Sequence, residues 1–134
     1  MTPRPTDAGP PRNGAATVCV LGSGSRGNAV YVSDGTTAIL VDAGFSARET
    51  DRRLREQGLD PAGLKALLLT HEHTDHVKGV ERMVRRHRLP VFLTEGTARA
   101  LDPARILQEA IPFACGREFR IDTLTVRPFS ISHD

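Results

Sequence analysis

Residues 71–76 read His-Glu-His-Thr-Asp-His. The chain has five histidines in all, and three of them stand in this window with two carboxylates between them. A solvated loop has no reason to crowd imidazoles in this way. Imidazole nitrogens suit Zn, Fe, Cu or Ni, and a carboxylate adds hard-ion character. His71 and His73 are two residues apart, so extended backbone would put both on one face. Asp75 and His76 follow where the chain should turn into a helix. Four donors this close in sequence can hardly surround one ion without straining the backbone. Two neighbouring ions, each taking two of them, is the easier arrangement, and the donor atoms are expected to face a common centre. A further histidine stands at the end of the chain. Phe129, Ile131 and His133 alternate with Ser130 and Ser132; on a strand, His133 would share an inward face with two large apolar residues.

The elements that must position these residues can be read from patterning. "TVCVL" is a short β-type run. "AVYVSDGTTAILVDAG" holds two β-branched runs about Asp34-Gly35, a hairpin signal. In "FSARETDRRLREQG", Ser46 and Glu49 form a capping box and Gly58 stops the helix. Asp60 caps a turn at Pro61. "KALLLT", a mostly apolar strand, delivers the chain into His71. "VKGVERMVRRHRL" places Val77, Val80, Val84 and His87 at helical spacing, which makes His87 a packing residue, and Pro90 closes the helix. "VFLT" is a second buried strand. "DPARILQEA" reads as a helix capped by Asp102 with Pro103 at its first position. "REFRIDTLTVRPFSISHD" reads as a hairpin turning at Asp122-Thr123. Strands come first and then alternate with helices, so the expected fold is a layered α/β (α+β) domain in which helices cover a mixed sheet.

"GSGSRG", residues 22–27, matches Gly-x-Gly-x-x-Gly, and Asp42 ends a later strand as a ribose-binding acid would. A dinucleotide motif needs a helix directly afterwards to receive the pyrophosphate. Here "NAVYVSDGTT" favours β structure, so a bend between strands is expected. Such a turn can still line a site, with Ser23, Gly24 and Asn28 near a substrate, because glycines let a backbone approach a ligand closely.

The 134 residues suffice for one modest domain. A net charge of +2 is too small to argue for nucleic acid by itself. No apolar run is long enough for a membrane span, and "MTPRPTDAGPPRNGAAT" has no apolar segment of a secretory signal. Residues 1–16 read as a disordered tail. Cys19 and Cys115 are far apart and read as buried thiols on strands, in a reducing, cytoplasmic setting.

"THEHTDHVKG" resembles the signature loop of the metallo-β-lactamase-fold hydrolases, and "ILVDAG" resembles the aspartate-bearing strand before it. With "LGSGSRGNAVYV" and the terminal "ISHD", the chain from about Thr17 to Asp134 is similar to the YycJ-like (WalJ-like) branch, whose members are described as exonuclease-like. The resemblance implies that residues 17–134 form the N-terminal half of an αββα sandwich, a partial domain that stops before the second half. It implies His71, His73 and His133 on a first metal and Asp75 and His76 on a second. Asp42 would orient the loop through hydrogen bonds. The complete site would hold two divalent ions, Zn or Mn, and this chain at most one. The missing half would supply a bridging carboxylate and a last histidine, and "KALLLT" and "VFLT" would be left incompletely covered.

The implied activity is metal-dependent hydrolysis of a phosphodiester, with a DNA end as substrate and Asp75 as a catalytic group that fixes metal and assists proton transfer. Lys78, Arg82, Arg85, Arg86 and Arg88 would then meet phosphates. Two alternatives use the same residues: a small-molecule hydrolase of thioesterase or lactonase type, and a non-catalytic metal-binding fragment. Membrane attachment is not expected.

Overall fold

The computed structural model describes residues 16–101 and 110–131. Among them, six strands form one mixed sheet in chain order. β1 (Thr17–Gly22), β2 (Ala29–Ser33) and β3 (Ala38–Val41) are antiparallel neighbours. β4 (Leu64–Leu68), β5 (Val91–Leu93) and β6 (Ala110–Pro112) then add in parallel. The β2–β3 turn is the expected one. The Asp34 carboxylate accepts the N–H groups of Thr36 and Thr37, and Gly35 supplies φ 92°. No helix follows the glycine segment, so a dinucleotide fold is excluded. Gly22 and Gly27 are needed for a different reason: a side chain at either position would collide with the buried Phe45 ring.

Helix α1 (Ala47–Glu56) starts at Ser46, whose Oγ accepts the Glu49 N–H. Only half of the capping box forms. The Glu49 carboxylate turns to Arg52 and Arg53, and hydrogen bonds from these guanidiniums hold its pKa down to about 2. Gly58 ends the helix at φ 76°, and Asp60 caps a short 3-10 turn at Pro61–Gly63.

The single helix expected from Val77 is instead two, α2 (Thr74–Val77) and α3 (Val80–His87). The break has a steric cause. The Gly79 N–H bonds to Ala43 O at 2.8 Å, and a Cβ at Gly79 would strike the Phe45 carbonyl, so the chain must back onto the exit of β3 here. Helix α4 (Glu95–Ala100) was not expected, because Gly96 and Thr97 are weak helix formers. Thr94 starts it by accepting the Thr97 N–H. Most of "DPARILQEA", including Asp102 and Pro103, lies outside the described residues, but its last residue, Ala110, belongs to β6 and not to a helix.

Period-two alternation splits the central strands between two cores. Leu40, Leu67, Leu69, Val91 and Leu93 meet Leu54 of α1, Val77 of α2 and Val80, Met83 and Val84 of α3. Ile39, Ala66, Leu68 and Phe92 face the other way, toward Ile121. That residue belongs to a second sheet, β7 (Phe119–Ile121) with β8 (Leu124–Val126), turning at Asp122-Thr123 as expected. Hydrogen bonds stitch the turns of the two hairpins together: Thr37 Oγ1 donates to Asp122 Oδ2 at 2.7 Å, Thr123 Oγ1 donates to Asp34 Oδ2 at 2.5 Å, and the Thr123 N–H donates to Thr37 Oγ1 at 3.2 Å. "KALLLT" and "VFLT" are therefore better covered than expected, and all three residues of β5 are buried.

Two other expectations fail. Phe129 and Ile131 are 77% and 68% exposed. No strand pairs with their segment among the described residues, so alternation has no sheet to act on. His133 lies outside the described residues, as do residues 1–15 of the expected tail. Cys115 is exposed in the turn between β6 and β7, where Gly116 takes φ 86°, and only Cys19 sits on a strand, partly buried. Among the described residues no helix is long and apolar enough to cross a membrane.

The end of β3 is where packing is tightest. The Gly44 N–H bonds to Asn28 O at 3.0 Å, and a Cβ on Gly44 would overlap Asp75 O and Asn28 N. Gly63 has open space around it. Gly44→Ala is expected to cost about 1–3 kcal/mol, as overpacking does. Gly63→Ala should stay within about 0.5 kcal/mol of the parent. Urea denaturation midpoints measure both, and equal losses would contradict this placement of the β3 exit.

Candidate metal centre

β3 and β4 run parallel and end side by side, with the Asp42 N–H on Leu68 O at 2.8 Å. One strand delivers Asp42 and the other delivers Thr70 and His71. Asp42 is buried and holds φ 65°, a left-handed conformation that costs a typical L-residue roughly 1 kcal/mol and Asp less. Its carboxylate is fully engaged. Oδ1 accepts the Thr70 N–H at 2.8 Å, and Oδ2 accepts the Thr70 hydroxyl at 2.7 Å. Oδ2 also lies 2.6 Å from His76 Nδ1. Thr70 Oγ1 in turn lies 2.9 Å from His71 Nδ1.

The protons can be followed through this chain. The Thr70 hydroxyl hydrogen goes to Asp42, so its oxygen must accept from a His71 Nδ1–H. A carboxylate can only accept, so His76 Nδ1 must also carry a hydrogen. In their neutral forms both imidazoles are then Nδ1–H tautomers, with the lone pair on Nε2. Tying up one ring nitrogen in this way fixes the orientation and raises the basicity of a metal-binding histidine.

The rings gather. His71 and His76 have centroids 3.9 Å apart, and His71 and His73 are edge-on at 4.5 Å. Asp75 Oδ2 stands 3.9 Å from His76 Nε2. Asn28 holds Asp75 in place: its backbone N–H bonds to Asp75 O at 2.8 Å and its side-chain Nδ2 to Asp75 Oδ2 at 3.1 Å. The same amide closes the glycine turn, with Oδ1 accepting the Gly24 N–H at 3.0 Å and Nδ2 donating to Gly24 O at 2.7 Å. Asn28, expected beside a substrate, is thus a brace between Gly24 and Asp75, while Ser23 is exposed on that turn.

His71, His73, Asp75 and His76 are brought together, and Asp42 bonds to Thr70 and His76 behind them. Their donor atoms do not face one centre: among the described residues no three His, Cys, Asp or Glu side chains converge as in a metal cage. His71 and His76 both hang from the Asp42–Thr70 pair, which sets their rings against each other. The donor chemistry nevertheless fits a divalent ion, with oriented imidazoles and a braced carboxylate beside them. Glu72, the other carboxylate of the loop, accepts from Thr97 Oγ1 of α4 at 3.3 Å.

Thr70 escaped the sequence reading, because a hydroxyl before a histidine carries no spacing signal. The basic run is divided. Arg86 Nη1 reaches the buried Asp51 at 2.8 Å, and Arg85 lies 3.4 Å from Glu81, so neither is held out for phosphate. His87 Nε2 bonds Asp51 at 3.0 Å and joins α3 to α1, as its packing position implied.

Comparison with known proteins bears on the family and the fold. The family described as "Metallo-beta-lactamase superfamily" matches residues 22–123. Exodeoxyribonuclease YycJ of Bacillus anthracis is 36% identical over 121 residues, which is 86% of this chain and 45% of that protein. The chain thus spans about half the length of this relative. Hydroxyacylglutathione hydrolase of Halorhodospira halophila is 43% identical over 60 residues, 45% of this chain and 22% of that protein. A solved metallo-β-lactamase of Cronobacter sakazakii shares the fold, with a TM-score of 0.68 at 17% identity over 81% of this chain and 44% of that one. Sequence match and fold agree, and the chain belongs to the metallo-β-lactamase superfamily of metal-dependent hydrolases.

Proposed function

We propose that this chain carries the His-rich part of a site that hydrolyses nucleic-acid phosphodiesters, in the manner of an exonuclease acting at a DNA end. The metal-binding part rests on one observation, the Asp42–Thr70 network that holds the Nδ1 edges of both His71 and His76. The choice of substrate rests on similarity to an exodeoxyribonuclease along most of the chain.

In this reading His71 and His73 hold a first ion with His133, and Asp75 and His76 hold a second, with Zn or Mn as the ions. A divalent ion bound there would polarise a phosphoryl oxygen and bring a water's pKa down toward about 7. Asp75, with Oδ2 tethered to Asn28, keeps its carboxylate at His76 Nε2 and is placed to accept a proton. Asp42 is buried and acts through the imidazoles without touching substrate. The free cysteines suit a reducing, cytoplasmic setting.

A thioester-hydrolase reading uses the same donors and is favoured by the short, more identical stretch shared with hydroxyacylglutathione hydrolase. The two readings differ in turnover. Any form of the protein that turns over in Mn²⁺ is expected to release nucleotides from a linear duplex and to leave a glutathione thioester intact; thioester cleavage without nucleotide release selects the second reading.

Metal binding is tested on the chain itself. Elemental analysis should find at most one ion per chain, and two would show that the chain completes its own site. Titration calorimetry with Zn²⁺ should show a 10- to 100-fold loss of affinity for Asp42→Asn, roughly the effect of removing such a hydrogen-bonding partner. Unchanged affinity would remove Asp42 from the site.

A further inference from the structure

The glycine turn does more than connect β1 to β2. Its two ends, Gly22 and Gly27, pack on Phe45, and the Arg53 guanidinium covers that ring at 4.0 Å. Arg53 Nη1 also bonds Leu21 O at 2.7 Å, which fixes the turn at its base. Its tip, Ser25 and Arg26, forms one side of an open cleft of about 460 Å³. Thr74, Asp75 and Lys78 form the other side, and Gly44 lies between them. The cleft therefore shares Asp75 with the histidine loop.

Charge in this cleft is unevenly spent. The Asp75 carboxylate also lines it, with Oδ2 3.1 Å from Asn28 Nδ2 and 3.9 Å from His76 Nε2. Arg26 and Lys78 are exposed, and among the described residues neither lies within 4.0 Å of a carboxylate. Further along the chain, Arg85 and Arg86 do have acidic partners. Two cations and two hydroxyl groups thus face one space, beside the residues proposed to hold metal. Gly44 lets the two sides of the cleft close on one backbone, since a Cβ there would strike Asp75 O and Asn28 N.

We infer that this cleft is a phosphate subsite, in which Arg26 and Lys78, helped by the Ser25 and Thr74 hydroxyls, hold a backbone phosphate of the nucleic acid. The inference rests on the nuclease reading and deepens it by naming where the substrate's charge is met. A thioester hydrolase gains nothing from such a pair of cations, whereas each phosphate neutralised on DNA releases counterions and steepens the dependence of binding on salt. Arg26 and Lys78 are positioning residues, because they meet a phosphate next to the reacting centre.

The test is binding of a short 5′-phosphorylated DNA duplex to the 134-residue chain, followed by fluorescence anisotropy from roughly 50 to 200 mM salt. Three proteins are compared: the parent, Arg26→Ala with Lys78→Ala, and Arg82→Ala with Arg88→Ala. All four substituted residues are exposed, and circular dichroism confirms that the variants fold. The cleft variant is expected to bind about tenfold more weakly and to lose about one unit of the log–log salt slope, as removal of one phosphate contact does. The Arg82/Arg88 variant should change neither by as much. Inorganic phosphate should shift the backbone amide resonances of Ser25, Arg26, Thr74 and Lys78. If the Arg82/Arg88 pair carries the salt slope and phosphate leaves the cleft amides unmoved, the subsite is overturned while the nuclease reading stands. If the parent binds DNA with no salt dependence, the nuclease reading falls and takes the subsite with it.

Discussion

Asp42 accepts three hydrogen bonds where β3 and β4 end side by side, and the histidine loop hangs from it, directly at His76 and through Thr70 at His71. A carboxylate this buried is costly to hold unless its lone pairs are met. Here they are met by the groups whose orientation matters. The left-handed backbone at Asp42 is part of the same arrangement: it turns the chain out of β3 while leaving the carboxylate beside Thr70. Rigid strands supply this precision, since the carboxylate and the loop are each anchored on a neighbouring strand of one sheet.

A second support complements the first. Asn28, at the entry to β2, ties Asp75 to the glycine turn, and Gly44 lets the β3 exit approach both. The three antiparallel strands that open the chain thus frame the histidine loop, although none of the loop's donors lies on them. Helices α1 and α3, joined through Asp51 to Arg86 and His87, bury one apolar face of β3 and β4.

The histidine loop was legible because its residue types are rare and crowded, and no packing knowledge was needed to see it. Asp42 was legible only by resemblance, since an aspartate at a strand end is otherwise an ordinary turn residue. Thr70 was not legible, because its part depends on which neighbour takes its hydrogen. The Gly-x-Gly-x-x-Gly match misled by type but not by context: β-branched residues after it foretold a strand, and its outer glycines make room for Phe45. Alternation at Phe129 and Ile131 failed because period two says which side a residue faces only when a sheet exists to define sides. The break between α2 and α3 was hidden for a similar reason, as it is set by a carbonyl more than thirty residues away in sequence.

The proton arrangement on the imidazoles tests the account most directly. Long-range ¹H–¹⁵N correlation spectra of the metal-free chain, taken at a pH of about 8.5 where imidazoles are ordinarily neutral, report which ring nitrogen carries the hydrogen. The account predicts Nδ1–H for both His71 and His76, with Asp42→Asn disturbing both. An Nε2–H tautomer at either residue in the parent protein would contradict it.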